Sequence, residues 1–294
     1  MKNLKSQFFY FFYKENIFLN KFFFRFFFKK IFHNNLKKKY PNFVIFNYDY
    51  VSRDILIDGF YEYKELITLI EWLKKKIKFN NVLDIGAYIG NHSVFFSKYF
   101  KNVLSFEPNP HSFNLLKLNT KKYKNINIFN FGLSKKNSTQ DFYSYELNYG
   151  GSSLKKNNKI PYQKFKTKFY KFDQLNKKKK IDLIKIDVEG EELNVLKGLK
   201  DTVKKNQPII IFEVQKDEIK NGSSKVIDYL KDLKYNKFYS IENYESQNIN
   251  IIDKMMYFLK FVFYSRKKYV VKKDFFEKKF YSFIIAEKCA EDTL

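Results

Sequence analysis

The sequence has little of what usually cross-links a chain or carries it through a membrane. Its 294 residues include one cysteine, Cys289, so neither a disulfide nor a multi-cysteine zinc site can form within it. The longest apolar candidate, 8–32, is interrupted by six charged side chains, whereas a spanning helix needs about 18 or more uninterrupted apolar residues. No small-residue cleavage site follows that stretch. The sequence therefore predicts a cytoplasmic protein in a reducing compartment, without a membrane span or signal peptide.

Arginine is the scarcest charged residue. Only Arg25, Arg53 and Arg266 stand among 56 basic residues, which outnumber 31 acidic ones and give a formal net charge of +25. Surfaces that grip nucleic-acid phosphates favour the two-pronged guanidinium of arginine over the ammonium of lysine. Lysine, asparagine, isoleucine, phenylalanine and tyrosine also share AT-rich codons, so base composition accounts for much of the charge. Nucleic-acid binding is not expected.

Apolar and aromatic residues are abundant, at 45% and 20% of the chain, which is enough for the core of one large α/β domain. We expect this domain at 51–294, after a basic, Phe-rich helical extension at 1–50. The first 40 residues hold 12 of the 36 phenylalanines and a single acid, Glu15. A broad apolar helix face ringed by cations is typical of peripheral membrane contact. The alternative is a helix that packs on the domain and leaves its lysines in water.

From about residue 81, short apolar runs alternate with helical stretches. Strands are predicted at 82–85, 103–106, 126–129, 181–186, 209–212, 238–241 and 281–286, and helices at 92–100, 112–122, 191–203 and 224–233. This alternation predicts an α/β fold with a doubly wound, mostly parallel sheet and a motif-bearing core at about 80–241. It is interrupted at 138–174, where two strand-like segments flank a polar loop at 148–153.

Acidic residues follow four of the first five predicted strands. They are Asp84, Glu107, Asp187 with Glu189, and Glu213. Ligands of doubly wound sheets bind beyond the carboxyl ends of the strands, where the strand order reverses. Acids at the ends of four strands on one edge of the sheet are therefore a site hypothesis.

The turn after the first strand indicates a nucleoside cofactor. Gly86 and Gly90 allow a tight turn. Glu107 follows Gly86 by 21 residues, the sequence spacing at which a carboxylate at the end of the second strand accepts both ribose hydroxyls. Tyr88 occupies a place where a dinucleotide fingerprint would have a small residue, and Asp84 would repel a diphosphate. S-adenosylmethionine, which is cationic and lacks phosphate, fits better. A nicotinamide-dependent oxidoreductase and a non-catalytic membrane-associated module remain the alternatives.

Five stretches, in this order, carry a family resemblance: VLDIGAYIGNHS at 82–93, SFEPNP at 105–110, GSS at 151–153, IDLIKIDVEG at 181–190 and PIIIFE at 208–213. Together they resemble the FkbM-like family of S-adenosylmethionine-dependent methyltransferases, over roughly residues 80–235. Tyr88 departs from the asparagine that this family usually shows.

The resemblance implies a class I methyltransferase, Rossmann-like fold with seven strands, the last of them antiparallel. It implies that Asp84, Gly86 and Gly90 line the methionine part of the cofactor, that Glu107 binds the ribose and that Asn109 lies near the adenine. Asp187 would face the transferring methyl. The family's acceptors are mostly hydroxyls of sugars and natural products, which implies O-methylation of a small-molecule or glycan acceptor.

A hydroxyl acceptor needs a group that removes its proton as it attacks. The sequence offers Asp187, Glu189, Glu213 and His92, and clustered acids raise one another's pKa toward neutrality. A Mg²⁺ ion that polarises the hydroxyl is an alternative, although no motif supports a metal site. A third alternative is that these residues have structural or cofactor-binding roles only.

Overall fold

The computed structural model describes residues 40–47, 49–145, 148–175, 179–243 and 268–289, together with Phe22, Arg25, Phe26 and Lys29. These four N-terminal residues are helical and exposed. Apart from these four residues and Tyr40, the basic segment predicted at 1–40 lies outside the described residues, as does most of the stretch 245–280. Among the helices in the described ranges, none is long and apolar enough to cross a membrane.

Helices and strands alternate through most of the described chain. The helices are α1 (Tyr50–Asp58), α2 (Tyr63–Leu73), α3 (Asn91–Phe96), α4 (Pro110–Thr120), α5 (Phe172–Leu175), α6 (Glu192–Gly198), α7 (Lys200–Asn206) and α8 (Lys225–Asp232). The strands are β1 (Asn81–Ile85), β2 (Asn102–Phe106), β3 (Ile126–Phe129), β4 (Gly132–Leu133), β5 (Ser138–Tyr145), β6 (Asn148–Ser153), β7 (Tyr162–Tyr170), β8 (Leu183–Ile186), β9 (Ile209–Val214), β10 (Lys237–Asn243), β11 (Lys268–Lys272) and β12 (Tyr281–Glu287).

The main sheet has the strand order β11-β10-β12-β9-β8-β1-β2-β3. β1 pairs in parallel with both β2 and β8, so the order reverses at β1, and β12 runs antiparallel to β9 and β10. This is the doubly wound class I methyltransferase arrangement that the sequence predicts. The predicted number of seven strands was wrong, because β11 adds an eighth at the edge. Its apolar run, Tyr269–Val271, is three residues long and flanked by lysines, and Tyr269 and Val271 are exposed, so the sequence gives little signal for a strand.

A second sheet, in the order β4-β7-β5-β6, interrupts the alternation. The segment 148–153, predicted as a polar loop, forms strand β6 and pairs with β5. Its glycines and serines carry no strand signal, since the pairing is made by backbone groups. The helix predicted at 191–203 is two helices. Gly198 ends the first, where a Cβ would lie 2.1 Å from the carbonyl oxygen of Ser134.

Two apolar cores cover the two faces of the main sheet. Along β1, Leu83 belongs to the core under α6 and α8, whereas its neighbour Val82 belongs to the core under α2 and α3. Successive side chains of a strand point to opposite faces. A strand buried on both faces therefore has a continuous apolar run, which is how the sequence revealed β1, β8 and β9.

Residues 40–46 pack against this helical layer. The backbone N–H of Val44 donates to Oδ1 of Asn119 (2.6 Å), and Nδ2 of Asn119 donates to the carbonyl of Val44 (2.9 Å). The ring of Tyr40 covers Gly59, where an added Cβ would lie 2.1 Å from a ring carbon. Phe43 meets Phe60 edge to face at 5.7 Å. This segment is thus fixed by hydrogen bonds as well as by apolar contacts.

Candidate active site

A cavity of about 260 Å³ opens where β1, β2, β8 and β9 end. Six of the residues predicted from the sequence line it: Gly86, His92, Glu107, Asp187, Glu189 and Glu213. The cavity lies at the point where the strand order reverses, which is where ligands bind in doubly wound sheets.

The turn after β1 depends on Gly86. Its backbone is left-handed (φ 79°), and an added Cβ would lie 1.8 Å from the carbonyl oxygen of Asp187. Gly90 is also left-handed (φ 92°), but it lies behind the cavity wall at the start of α3, where a Cβ would lie 2.8 Å from Leu116. Gly86 therefore shapes the cavity, and Gly90 lets α3 approach α4.

Glu107 is fixed on the cavity wall by two backbone donors. Oε2 accepts from the N–H of Tyr88 (2.8 Å), and Oε1 accepts from the N–H of Asn109 (2.7 Å). Burial raises the pKa of this carboxyl to about 7, against the opposing effect of these two hydrogen bonds. Since a carboxylate has about four acceptor positions, each oxygen can still bind a ligand hydroxyl.

Asp84 does not line the cavity. The residue is fully buried, Oδ2 accepts from the hydroxyl of Ser93 (2.6 Å), and Oδ1 lies 3.4 Å from Nζ of Lys185. A direct contact with the methionine part of a cofactor does not fit this placement. Asp84 belongs to the face of β1 that packs under α3, and it acts on the cavity through Lys185.

Asn109 also lies behind the cavity wall. It caps α4 by accepting from the N–H of His111 (3.0 Å), and its Nδ2 donates to the hydroxyls of Ser144 (2.9 Å) and Ser152 (3.0 Å). A direct adenine contact by this side chain does not fit its complete burial. Asn109 instead ties the end of β2 to the second sheet, including the predicted small-residue patch at 151–153.

Lys185 is a central residue of the site that the sequence reasoning missed. Its Nζ lies 3.2 Å from Asp187, 3.4 Å from Asp84 and 3.1 Å from the carbonyl oxygen of Gly86, to which it donates. Burial alone would lower the pKa of Lys185, but Asp187 and Asp84 raise it above the ordinary value. Lys185 is therefore charged. A lysine inside the apolar run of β8 was the signal that could have revealed it.

Carboxyl groups crowd the β8–β9 side of the cavity. Burial, with the repulsion of Asp187 and Glu189, raises the pKa of Glu213 to about 9. Burial and Asp187 raise the pKa of Glu189 to about 7. Glu62, which precedes α2 with a left-handed backbone (φ 56°), also lines the cavity, and burial with the repulsion of Asp187 raises its pKa. Glu62 carries no sequence signal, because it belongs neither to a strand end nor to a motif.

His92 faces the same side from α3. Its Nε2 lies 3.2 Å from a carboxyl oxygen of Glu62 and makes no hydrogen bond within the described residues. Burial and the charge of Lys185 lower the pKa of His92 to about 4. The imidazole is therefore neutral at pH 7 and a weak base.

Tyr88 joins the cofactor turn to the segment before α1. It has a left-handed backbone (φ 51°), and its hydroxyl donates to Asp49, whose Oδ1 also accepts from the N–H of Ser52 at the start of α1. The ring of Phe46 packs 6.0 Å from that of Tyr88 and 4.4 Å from that of Tyr149. These aromatic contacts form one wall beside the cavity.

Within the described residues, no group of three or more histidine, cysteine or acidic side chains is arranged to hold a metal ion. Three of the carboxyl groups that line the cavity have described partners: Asp187 pairs with Lys185, Glu107 accepts from two backbone N–H groups, and Glu213 accepts from the side-chain amide of Gln215.

Comparisons with known proteins relate these motifs to a family. The family described as Methyltransferase FkbM domain matches residues 84–237, just over half of the chain. No curated protein matches it in sequence. Structures of similar fold include methyltransferase FkbM from Methylobacillus flagellatus, with a TM-score of 0.39 and 14% identity over 66% of this chain and 49% of that one. This chain thus spans about half the length of that protein.

Two further structures cover most of their own length. Precorrin-6y C5,15-methyltransferase from Geobacter metallireducens has a TM-score of 0.39 and 13% identity, over 76% of this chain and 88% of that one. A Streptococcus mutans protein in complex with SAH has a TM-score of 0.40 and 13% identity, over 75% and 97%.

Proposed function

Because this chain belongs to the FkbM methyltransferase domain family, we propose that it O-methylates a sugar, glycan or related hydroxyl acceptor. S-adenosylmethionine is the cofactor and supplies the methyl group on a positively charged sulfur. The observation that carries the proposal is the carboxylate of Glu107, fixed on the cavity wall beside the Gly86 turn. In this position it suits the two hydroxyls of a ribose.

The charges around the cavity fit a cationic ligand. Glu107, Asp187, Glu189 and Glu213 line it, and Lys185 is already paired with Asp187. A pyrophosphate would meet these carboxyl groups, because the described residues that line the cavity include no lysine or arginine other than the paired Lys185. This favours S-adenosylmethionine over the alternative of a nicotinamide dinucleotide. We therefore assign the ribose to Glu107 and the cationic part of the cofactor to the side near Asp187.

The protein's contribution to methyl transfer is alignment of the two reactants and acceptance of a proton. Asp187 is held in an ion pair by Lys185, which suits binding better than proton transfer. His92 is a weak base behind Glu62. Glu189 and Glu213, with pKa values raised to about 7 and about 9, have the proton affinity that a base needs near neutral pH.

Calorimetric titration tests the cofactor first. We expect S-adenosylmethionine and S-adenosylhomocysteine to bind and NADH not to bind, and the opposite result would contradict the proposal. Incubation with isotopically labelled S-adenosylmethionine and a glycan or lipid extract then tests the acceptor by mass spectrometry. O-methylation predicts a product that resists mild base and has gained the mass of one CH₂ unit plus the isotopic label. Label on nitrogen or carbon would contradict the acceptor class.

We also propose peripheral membrane contact through residues 1–40, on the basis of their composition alone. Deletion of 1–39, which keeps Tyr40 on Gly59, should weaken binding to anionic vesicles and leave cofactor affinity unchanged. Equal binding of both chains to vesicles would refute this contact.

A further inference from the structure

Glu213 lies among acids and has no cation of its own. It is the penultimate residue of β9 and lines the cavity. Within the described residues its carboxyl has no ion pair. Its described partner is the side-chain amide of Gln215, which donates to Oε1. Asp187 and Glu189 approach from the loop after β8, and Glu62 from the segment before α2. The titratable groups that act on Glu213 from the elements around it are Glu62, Asp187, Glu189 and Glu192, and Tyr61 feels its charge in return.

The one ammonium that lines the cavity among the described residues is committed elsewhere. Lys185 lies between Asp84 and Asp187 and donates to the carbonyl of Gly86. The buried Nε2 of His92 has no hydrogen-bond partner there and faces Glu62 with a neutral ring. The cavity therefore lacks positive charge at its β9 side, and a carboxyl there is stable only with a proton or beside a cationic ligand.

We propose that the carboxyl of Glu213 holds a proton in the free protein, loses it when the cationic cofactor binds, and then accepts the proton of the attacking hydroxyl. This inference rests on the proposed function. Methyl transfer to a hydroxyl breaks one carbon–sulfur bond and forms one carbon–oxygen bond. It also removes one positive charge from the cofactor and releases one proton from the acceptor.

Glu213 links the loss of the cofactor's charge to the release of the acceptor's proton. While the ligand is cationic, Glu213 is a carboxylate and can take a proton. Once the ligand is neutral at sulfur, repulsion by Asp187, Glu189 and Glu62 favours the protonated carboxyl again, so the proton stays on Oε1 or Oε2. The high pKa of Glu213 in the free protein, about 9, agrees with this cycle. Glu213 is thus a proton acceptor whose charge follows the charge of the cofactor.

Proton counts in calorimetry test this directly, without an acceptor. The full-length protein is titrated with S-adenosylmethionine and with S-adenosylhomocysteine at pH 8, each in two buffers of different ionisation enthalpy. We expect S-adenosylmethionine to release at least about half a proton per site more than S-adenosylhomocysteine does. Glu213→Gln should remove most of that difference. Glu71→Gln, an exposed acid on α2 that pairs with Lys74, should keep it.

The pH dependence of affinity gives a second readout. The ratio of the affinity for S-adenosylmethionine to the affinity for S-adenosylhomocysteine should rise between pH 6 and pH 9, at most about tenfold per pH unit. The ratio is the readout because Glu107, whose pKa is about 7, contacts the ribose of both ligands in this proposal. Glu213→Gln should hold the ratio at its low-pH value. Equal proton counts for the two ligands, or an unchanged slope in Glu213→Gln, would overturn the inference and leave the proposed function intact. Failure of both ligands to bind would instead contradict the proposed function.

Discussion

The two halves of the cavity edge satisfy their polar groups in different ways. On the β1–β2 side backbone groups supply the hydrogen bonds, since Glu107 accepts from the N–H groups of Tyr88 and Asn109. On the β8–β9 side, within the described residues, no backbone N–H donates to Glu62, Glu189 or Glu213. These three carboxyl groups face one another with raised pKa values. The first half is built to hold a ligand in one place. The second half has a charge state that depends on what it binds.

The difference follows from what each half does. A nucleoside is the same molecule before and after a methyl transfer, so a fixed set of hydrogen bonds suits it throughout. The reacting end changes charge during the reaction, and groups that can gain or lose a proton suit that change. Fixed geometry on one side and adjustable charge on the other therefore make separate predictions.

The largest effect should come from the fixed half. Gly86→Ala would force a left-handed alanine into the backbone of Asp187, and we expect the free energy of unfolding to fall by at least about 3 kcal/mol, with loss of cofactor binding. Gly190→Ala is the matched control. Its φ of 88° is equally left-handed, but the nearest atom to its Cβ is a mobile lysine nitrogen at 3.3 Å, so we expect a cost of about 1 kcal/mol. Equal costs in urea unfolding would show that the close approach to Asp187 is unimportant.

Glu107→Gln should weaken cofactor binding without unfolding the protein. The change replaces one of two charged acceptors by an amide, which conflicts with the N–H of Tyr88 or of Asn109. We expect affinity for S-adenosylhomocysteine at pH 8 to fall by about 10- to 100-fold, the loss of one or two hydrogen bonds to a charged group. Unchanged affinity, measured beside Glu71→Gln by calorimetry, would separate Glu107 from the nucleoside.

The β8–β9 side of the cavity edge should determine how the free energy of unfolding depends on pH. The folded protein keeps a proton on Glu213 up to about pH 9, whereas the unfolded chain loses it near pH 4.5. Stability is therefore lost as pH rises through this window, because the folded state binds the extra proton. Glu213→Gln should be more stable than the wild type by about 1 to 2 kcal/mol at pH 8, after allowance for solvent screening, and no different at pH 4. A variant that is less stable at pH 8 would mean that the carboxylate is paired in the fold.

The smallest effect concerns the link between the turn after β1 and the segment before α1. Tyr88→Phe removes the hydrogen bond to Asp49 and keeps the contact of its ring with Phe46. We expect a loss of about 1 kcal/mol in the free energy of unfolding. Tyr149→Phe, a change on the same aromatic wall, should cost less. The reverse order in parallel thermal melts would show that the hydroxyl of Tyr88 contributes little.

The sequence predicted the strand ends well because each inner strand is apolar on both faces and stops at a polar residue. This is why Glu107, Asp187, Glu189 and Glu213 could be expected at one edge. The sequence of a strand that is buried on both faces does not show, however, on which face a given side chain lies. Asp84 was expected in the cavity and instead points under α3.

Other parts of the site could not be found in this way. Glu62 reaches the cavity from a segment that precedes the sheet, and only tertiary packing brings it to His92. Lys185 was visible as a lysine in an apolar strand, but its role depends on one carboxylate from β1 and one from the loop after β8. Asn109 was expected near a ligand and is occupied by the second sheet, whose strand β6 has no apolar pattern. Long-range contacts of this kind leave no periodic trace in one sequence.

The paired amide of Asn119 has a practical consequence for shortened versions of the protein. A chain cut between 50 and 51 would leave that amide without the backbone of Val44 and would uncover Phe60, which Tyr40 and Phe43 now shield. Such a truncation should aggregate or melt early, even though every catalytic motif is retained. Versions prepared for crystallisation should therefore begin no later than Tyr40.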